Sequence, residues 1–579
     1  MLASICRCCG QPGLVLLAQA GRFFGSSKLS LKHFSRVLRL GFLREQLFSL
    51  LRSPLFPSNM KALLLFAIAL TGIICAGAEL NPYESSGALQ SSGRIDELVF
   101  ARLKQLDIQP AQNCSDAAFV RRVFLDVIGT LPTAAETKTF LTDKSPNKRR
   151  ALIDELLTRD EFSDYWAMKW SDLLRVKAEY PINLWPNAAQ AYHRWIVDSI
   201  HSNKPFDQFA RELLTGNGSN FRVGPVNFYR ALQSRDPKTI ARTVALTFMG
   251  ARAEKWPEAQ LAGLAGFFAQ IGYKSTGEWK EEIVFFDPSK TLPAGLPVAT
   301  YPDGVTAKFT ADHDPREVFA DWLIDPKNPW FTRAIANRAW FWLMGRGIVH
   351  EPDDFRSDNP PSNPGLLAEL ERELVAAHYD IKALFRLILN SQTYQLACVP
   401  KNDKPEASAN FAFYPLRRLD AEVLIDALNG ITGSTEKYTS AIPEPFTYIP
   451  EEVRSIALPD GSITSSFLEM FGRPSRDTGQ EMERNNRTTA TQRLHLLNSS
   501  QIRRKLEQGP KLQALWLENQ KRPREAIDAL YLTILSRFPT ETERQAVQAY
   551  AQSARLGPRQ TALDLAWALI NTTEFLYRH

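Results

Sequence analysis

Four ionisable residues that could ligate a metal ion follow the string "GRGIV". They are His350, Glu351, Asp353 and Asp354. An imidazole with three carboxylates is a donor set that hard and borderline divalent cations accept. The competing interpretation is a loop after a helix, in which Asp353 or Asp354 caps the next turn and the other side chains are solvated. The sequence therefore leaves a divalent metal site and an ordinary loop as alternatives.

A second acidic loop, "ADHDPRE", contains Asp312, His313 and Asp314. Asp314 stands directly before a proline and a helical pattern, which is where N-cap residues occur. A metal ion here would need donors from another loop, whereas capping needs only the local backbone. We therefore expect Asp314 to be an N-cap.

The most unusual polar stretch is "GRPSRDTGQEMERNNRTTATQR", in which arginines are interleaved with acids. Guanidinium groups suit paired hydrogen bonds to carboxylates or sulfates. The stretch either lines a cleft for an anionic or polyhydroxylated ligand or forms an ion-pair network that locks the two halves of the protein together. We favour the network. The residues concerned are Arg473, Arg476, Asp477, Glu481, Glu483, Arg484, Arg487 and Arg493.

Other catalytic signatures are missing from the sequence. It has no G-x-S-x-G, no Walker loop, no dinucleotide glycine fingerprint and no H-E-x-x-H. This weighs against the commonest hydrolases and nucleotide-dependent enzymes.

Tryptophans in helical patterns are predicted to pack in the core, with a sugar-stacking platform as the alternative. Trp340 and Trp342 are two residues apart and so cannot share one helix face, and we expect one of them at an interface. The tryptophans considered are Trp166, Trp170, Trp195, Trp340 and Trp342.

The charge of the chain is concentrated at its N-terminus. Residues 1–78 hold nine of the 69 Lys and Arg but one of the 63 acids, so the remainder has a net charge of about −2. A nucleic-acid partner is therefore not expected. With 579 residues, the chain should divide into two to four domains.

Residues 60–78, "MKALLLFAIALTGIICAGA", combine a basic start, an apolar run and an A-x-A end, which is typical of an export signal. We interpret residues 1–59 as a non-native upstream extension and expect a periplasmic or cell-surface protein. No integral membrane span is expected after cleavage, and retention of the signal as an anchor is the alternative. Cys114 and Cys398 then remain, either as one disulfide or as two thiols.

The hydrophobic pattern predicts a mainly α fold, with two related multi-helix domains and a small β-rich insert between them. Two strings, "FLDVIGTLPTAAE" and "YLTILSRFPTETE", repeat with a Thr three residues before a Glu, which predicts capping boxes at Thr133 and Thr540. The predicted boundaries are a linker at 79–94, a helical domain at 95–270, an insert of two or three strands at 271–313, and a helical domain at 314–579 interrupted at 433–466.

Long strings of the chain resemble a known pair of domains. "FVRRVFLDVIGTLPT", "WAMKWSDLLR" and "KPFDQFARELL" are similar to the planctomycete-type cytochrome-associated domain, domain of unknown function 1549. "DPREVFADWL", "NPWFTRAIANRAWFWLMGRGIVHEPDDF" and "LILNSQTYQ" are similar to its companion, domain of unknown function 1553. "RRLDAEVLIDAL", "NNRTTATQRLHLLNSSQI" and "LAWALINTTEFLYRH" continue this match, so the resemblance covers about residues 95–579.

The resemblance also identifies a departure from the family pattern. Its members commonly carry C-x-x-C-H after a "TFLGVR"-like helix, and covalent c-type haem requires those thiols and that His. Here "TFMGAR" is followed almost at once by "KW" and "PEAQLAGLAGFF". We therefore expect no haem at this site and a tight turn across residues 251–257, with Pro257 beginning the next helix.

The resemblance implies a protein of uncharacterised role, of a kind found beside secreted sulfatase-like partners in polysaccharide-using bacteria. We expect a non-catalytic binding or scaffold protein whose partner is an exported protein or a polysaccharide. The alternatives are a metal-dependent or carboxylate-based hydrolase acting on glycans, and a haem-less docking partner of a cytochrome. A hydrolase requires the 350–354 and 473–493 segments to meet, whereas a scaffold requires an exposed apolar or aromatic patch.

Overall fold

Helices account for most of the architecture, and the predicted mainly α fold is confirmed. The computed structural model describes residues 81–290, 299–519, 521–554 and 556–579. The predicted upstream extension at 1–59 and export signal at 60–78 lie outside the described residues. Residues Tyr83–His579 form one compact unit.

The N-terminal half is a succession of amphipathic helices joined by short loops, with three short 3₁₀ helices. The α-helices are α1 (Arg94–Gln105), α2 (Asp116–Val127), α3 (Ala134–Thr142), α4 (Lys148–Leu156), α5 (Asp160–Leu173), α6 (Pro186–His201), α7 (Phe206–Thr215), α8 (Pro237–Met249) and α9 (Glu258–Ala265). The 3₁₀ helices are η1 (Gly224–Tyr229), η2 (Ala253–Lys255) and η3 (Gly266–Phe268).

A small antiparallel sheet follows. Its strands are β1 (Gly218–Ser219), β2 (Ile271–Ser275) and β3 (Glu282–Phe286), in the order β1-β3-β2. Two strands fall in the predicted insert, and β1 joins them from the loop after α7. The 299–307 stretch contributes one isolated bridge, between Thr300 and Thr306.

The C-terminal half is again helical. It contains no α-helix between Gly433 and Ser465, as the Pro- and Ser-rich composition of this segment predicts. Its first helices are α10 (Pro315–Ile324), α11 (Phe331–Met344), α12 (Pro364–Ala376), α13 (Ile381–Leu389), α14 (Pro405–Ala409), α15 (Ala421–Thr432) and α16 (Ser466–Met470). They are followed by α17 (Ala490–Asn498), α18 (Ser500–Gln508), α19 (Pro510–Asn519), α20 (Pro523–Leu535), α21 (Glu541–Ala554), α22 (Pro558–Ile570) and α23 (Thr573–Leu576). Two 3₁₀ helices, η4 (Ser455–Ala457) and η5 (Glu481–Glu483), and a two-stranded sheet of β4 (Arg417–Arg418) and β5 (Tyr577–Arg578) complete the fold.

The core draws aromatic side chains from both halves. Trp342 of α11 lies with its ring centroid 5.1 Å from that of Trp166 and 5.6 Å from that of Trp170, both on α5. Trp340 and Trp342 are both buried, and Trp342 lies where the two predicted helical domains pack against each other. Helix α11 is surrounded by packed elements, so opposite faces of it are both interior.

Two cysteines lie in the described part of the chain, and both are free thiols: Cys114 is buried and Cys398 is partly buried. Of the two predicted alternatives, the structure has two separate thiols at Cys114 and Cys398 and no disulfide between them. Within the described residues, no helix combines the length and apolar character needed to span a bilayer.

Both predicted capping boxes are present. The hydroxyl of Thr133 accepts a hydrogen bond from the N–H of Glu136 at 3.2 Å, and the Glu136 carboxylate accepts one from the N–H of Thr133 at 2.7 Å. Thr540 and Glu543 make the same reciprocal pair, at 3.2 and 2.8 Å.

We predict that Thr133→Ala lowers the free energy of unfolding by about 1 kcal/mol, because the first turn of α3 loses its cap. Urea denaturation followed by circular dichroism measures this change. Thr139→Ala, an exposed substitution inside the same helix, is the control and is expected to be neutral or slightly stabilising. Equal effects of the two substitutions would contradict the prediction.

Candidate functional site

Asp353 joins the two segments in which the sequence concentrates its ionisable residues. Its side chain is fully buried after α11. One carboxylate oxygen accepts a hydrogen bond from Arg338 at 2.6 Å, and the other accepts one from the backbone N–H of Glu481 at 2.7 Å. The 350–354 loop and the 473–493 stretch therefore meet, although 128 residues separate Asp353 from Glu481.

Glu481 is the residue of this pair whose protonation is most perturbed. Its Oε1 accepts a hydrogen bond from Nε1 of Trp342 at 3.0 Å. Burial, and to a smaller extent the negative charge of Asp353, raise the pKa of Glu481 to about 7 against the opposing charges of Arg338 and Lys169. A carboxyl group with this pKa gains and loses its proton near neutral pH, as a general acid or base must.

The other carboxylates of the loop are directed at different cations. Glu351 pairs with Arg252. Asp354 pairs with Lys255 at 3.4 Å and with Arg356 at 3.1 Å. Because each acid has its own counter-ion, the loop does not gather its oxygens around one point.

His350 is partly buried beside the same loop. Burial lowers its pKa, and the positive charge of Arg346 lowers it further. Its Nδ1 is buried with no hydrogen-bond partner among the described residues. In the described ranges, no three His, Cys, Asp or Glu side chains are placed to hold a metal ion. A divalent ion at His350, Glu351, Asp353 and Asp354 remains a prediction that requires these ion pairs to open.

Asp314 is an N-cap, as predicted. Its Oδ1 accepts a hydrogen bond from the N–H of Arg316 at 3.0 Å at the start of α10, and its carboxylate also pairs with the Arg316 guanidinium at 2.7 Å. Asp312 and His313 are exposed. The "ADHDPRE" loop therefore holds the beginning of a helix.

The break at residues 251–257 packs against the 350–355 loop. Gly250 ends α8 with φ 58°, and its carbonyl accepts a hydrogen bond from the N–H of Phe355 at 2.9 Å. A Cβ at this glycine would lie 2.8 Å from the Phe355 ring, so the close approach requires glycine. The break is closed by η2 and its two basic residues are held by Glu351 and Asp354. It contains neither thiol nor imidazole, and these residues do not fit covalent haem.

Arginines of the 473–493 stretch reach across to α5. Asp172 accepts from Arg476 at 2.9 Å with one oxygen and from Arg484 at 2.6 Å with the other. Arg484 also pairs with Glu422 of α15 at 2.6 Å. Burial alone would lower the pKa of Arg484, but Asp172, Glu422 and Asp420 outweigh it and raise the pKa.

The acids at the start of α15 extend this network. Asp420 accepts from Lys169 of α5 at 3.0 Å and from Arg578 of β5 at 2.9 Å. Burial acts to raise the pKa of Asp420, but Lys169, Arg484 and Arg578 hold it well below its ordinary value. Arg473 lies 3.4 Å from Glu422, and burial lowers the pKa of this arginine to about 10.

The remaining predicted residues lie at the edge of the network. Asp477 pairs with Lys177 at 2.7 Å. The Glu483 carboxylate accepts backbone N–H groups of Asp477 and Thr478 at 2.9 and 3.0 Å. The Arg487 side chain is exposed and takes no part in the cluster.

Comparison with family models identifies the segments that this network joins. One model, protein of unknown function (DUF1549), matches residues 94–261, and another, protein of unknown function (DUF1553), matches residues 315–551. The chain carries both domains. Asp172 lies in the DUF1549 match, and its partners Arg476 and Arg484 lie in the DUF1553 match. No curated protein and no solved structure matches the chain.

An aromatic patch, missed by the sequence analysis, lies where one loop of each domain meets. Tyr180 is 81% exposed, Phe446 49% and Tyr448 71%. The ring centroids of Trp185 and Phe446 are 5.3 Å apart, and Glu179 accepts a hydrogen bond from the N–H of Ala441 at 3.1 Å. The signal in the sequence is an aromatic-rich pair of proline-containing loops, "EYPINLW" and "PEPFTYIP". We define the aromatic patch as the aromatic residues of these two loops, Tyr180, Trp185, Phe446 and Tyr448, of which the Trp185 and Phe446 rings are in contact.

The backbone beneath the patch is strained. Trp185 has φ 71° and ψ 148°, a region that only glycine adopts readily, at a cost of about 1–3 kcal/mol for another residue. Such strain persists where the surroundings enforce it, and it is common at ligand-binding positions. Hydrogen bonds from Leu184 to Lys177 and from Trp185 to Ala178, at 3.2 Å each, hold the loop in this conformation.

Proposed function

We propose that the protein is an exported, non-catalytic binding protein that holds a neutral polysaccharide on the aromatic patch. The observation that carries the proposal is the exposure of Tyr180, Phe446 and Tyr448 on two adjoining loops. The C–H face of a pyranose ring is apolar and packs on an aromatic face, while tyrosine hydroxyls remain available for hydrogen bonds. Exposed aromatic surface of this kind is typical of interaction sites.

The charge around the patch favours a neutral ligand. Four acids lie on the same two loops or directly after them, whereas the body of the chain carries no basic excess. A sulfated or uronic polysaccharide would be repelled by these carboxylates. The acids are Glu179, Glu444, Glu451 and Glu452.

The carboxylates of the buried network already have partners within the protein, which supports a non-catalytic role. Asp172, Asp420 and Glu422 are each paired with buried cations, and Asp353 accepts hydrogen bonds on both oxygens. Groups committed in this way hold the two domains together. The ion-pair network, rather than a ligand cleft, is the interpretation of the 473–493 stretch that these contacts favour.

Removal of two aromatic rings tests the proposal. We predict that Tyr180→Ala combined with Tyr448→Ala weakens binding of a soluble neutral glucan by at least about tenfold, which corresponds to about 1.4 kcal/mol. Isothermal titration calorimetry on the purified protein measures the affinity, and a sulfated galactan tests the preference for a neutral chain. Trp279→Ala is the matched control, because Trp279 is 71% exposed on the turn between β2 and β3.

Two results would overturn the proposal. One is unchanged glucan affinity in the double variant while the protein remains folded by circular dichroism. The other is an equal loss in the Trp279→Ala control. Tighter binding of the sulfated chain would contradict the part of the proposal that rests on charge.

A carboxylate-based glycan hydrolase is the second candidate function. The meeting of Asp353 with Glu481, and the pKa of about 7 at Glu481, are the observations that favour it. Incubation of the protein with the same glucans distinguishes the two functions. Release of reducing ends that is abolished by Glu481→Gln would establish hydrolysis, whereas binding without release supports the non-catalytic role.

A further inference from the structure

A cavity that is partly open to solvent, far along the chain from the aromatic patch, lies between four C-terminal helices, α18, α19, α20 and α22. Its volume is about 220 Å³. An engineered apolar cavity of about 150 Å³ holds a benzene molecule, so this one accommodates a compound of about nine heavy atoms. Its apolar walls are formed by Leu506, Leu512, Leu515, Leu530, Leu563 and Ala566.

Four of the residues that line the cavity carry polar groups, namely Glu507, Gln513, Trp516 and Arg559. The indole N–H of Trp516 is buried and has no acceptor among the described residues. A ligand that supplies an acceptor to a buried donor of this kind removes the free-energy cost of leaving the donor without a hydrogen bond. Arg559, at the start of α22, also lines the cavity and is exposed, so it belongs to the rim.

The charge at the rim selects an anion. Arg559 makes no ion pair with any residue that the structure describes. The acid on the wall, Glu507, is already paired with Arg503 at 2.7 Å. The rim therefore offers one uncompensated guanidinium group next to an apolar interior, and guanidinium groups bind carboxylates through paired hydrogen bonds.

We propose that this cavity binds a small hydrophobic monocarboxylate, with its apolar body among the leucines and its carboxylate at Arg559. The binding is independent of the aromatic patch and of any glycan. Octanoate has ten heavy atoms and 2-naphthoate thirteen, so octanoate is the closer match to the volume and the naphthoate tests its upper limit. Binding of either ligand is non-covalent.

Calorimetric titration of the full protein with octanoate, 2-naphthoate and the neutral analogue 1-octanol tests the proposal. We expect octanoate to bind, and to quench or shift the fluorescence of Trp516. Arg559→Gln is expected to weaken octanoate binding at least about tenfold and to leave 1-octanol unchanged. Arg524→Gln is the matched control, because Arg524 is an exposed arginine of α20 that does not line the cavity, and it is expected to change neither affinity.

A second variant distinguishes the contribution of the apolar cavity to binding from that of the Arg559 charge. Ala562→Phe places a ring on a partly buried wall position and is expected to abolish binding of octanoate and 1-octanol together. Absence of octanoate binding at millimolar concentration would overturn the proposal. So would equal affinity for octanoate in the wild type and Arg559→Gln, a measurement that stands whether or not Ala562→Phe folds.

Discussion

Replacement of Asp172 by alanine is expected to lower the free energy of unfolding by about 3–5 kcal/mol. Asp172 is the shared counter-ion of Arg476 and Arg484, whose side chains are 0% and 7% exposed. Removing one member of a buried ion pair leaves the other charges desolvated and uncompensated, and losses of this size follow. Guanidinium chloride denaturation, followed by circular dichroism and by tryptophan fluorescence, measures the change.

The control lies on the same helix. Asp160 begins α5, its side chain is 88% exposed, and Nδ1 of His201 lies 3.8 Å from its carboxylate. Asp160→Ala should therefore stay within about 0.5 kcal/mol of the wild type. A loss below about 1 kcal/mol in Asp172→Ala would mean that Arg476 and Arg484 find water or other acceptors, and the network would not be what joins the domains.

Local features of the fold could be predicted from the sequence because they depend on neighbouring residues. The caps at Thr133, Thr540 and Asp314 each need one side chain and the backbone within three residues of it. The turn across residues 251–257 could be predicted for the same reason, since Gly250 before it and Pro257 at its end restrict the chain. Pro257 is the N-cap of α9, one residue before the helix begins at Glu258.

Contacts between distant segments could not be predicted. The sequence indicates that the 473–493 stretch is rich in arginine, but it does not indicate that Arg476 and Arg484 share Asp172, about 300 residues earlier. Trp340 and Trp342 illustrate the same limit. Their spacing establishes that they face different directions, but only the tertiary packing decides that both directions lead into the core.

The aromatic patch could not be predicted for a different reason. Periodicity identifies side chains that face a core, and Tyr180 and Tyr448 lie in loops that have no period. Their exposure becomes meaningful only when the loops at 178–185 and 441–448 are brought together. Direct contacts between the loops achieve this, since Glu179 accepts a hydrogen bond from the N–H of Ala441 at 3.1 Å and the ring centroids of Trp185 and Phe446 are 5.3 Å apart. The first loop is also anchored where it begins, because the N–H of Ala178 donates to Asp460 at 2.9 Å.

Replacement of Glu481 by glutamine is expected to change how stability depends on pH. Burial raises the pKa of Glu481 from 4.5 to about 7 in the folded protein. The folded state therefore retains a proton that the unfolded state has lost between these values, and stability falls as pH rises through this window. The fall amounts to about 3 kcal/mol. Glu481→Gln removes the titration and can still accept the hydrogen bond from Trp342, so its stability relative to the wild type should rise by about this amount from pH 4 to pH 8.

Glu483, two residues away in η5, provides a control of opposite sign. Burial acts to raise its pKa, but the hydroxyl of Thr478 and the backbone N–H groups of Asp477 and Thr478 outweigh burial and lower it. Its contribution to stability is present above the pKa of the unfolded chain and is lost as pH falls through the folded value. Glu483→Gln should therefore be most destabilising near neutral pH, where Glu481→Gln is most favourable. Urea denaturation of both variants between pH 3 and pH 8 would show the effect of Glu481→Gln changing mainly above its ordinary pKa of 4.5 and that of Glu483→Gln changing mainly below it, in the opposite direction. Parallel profiles would exclude a proton held at Glu481.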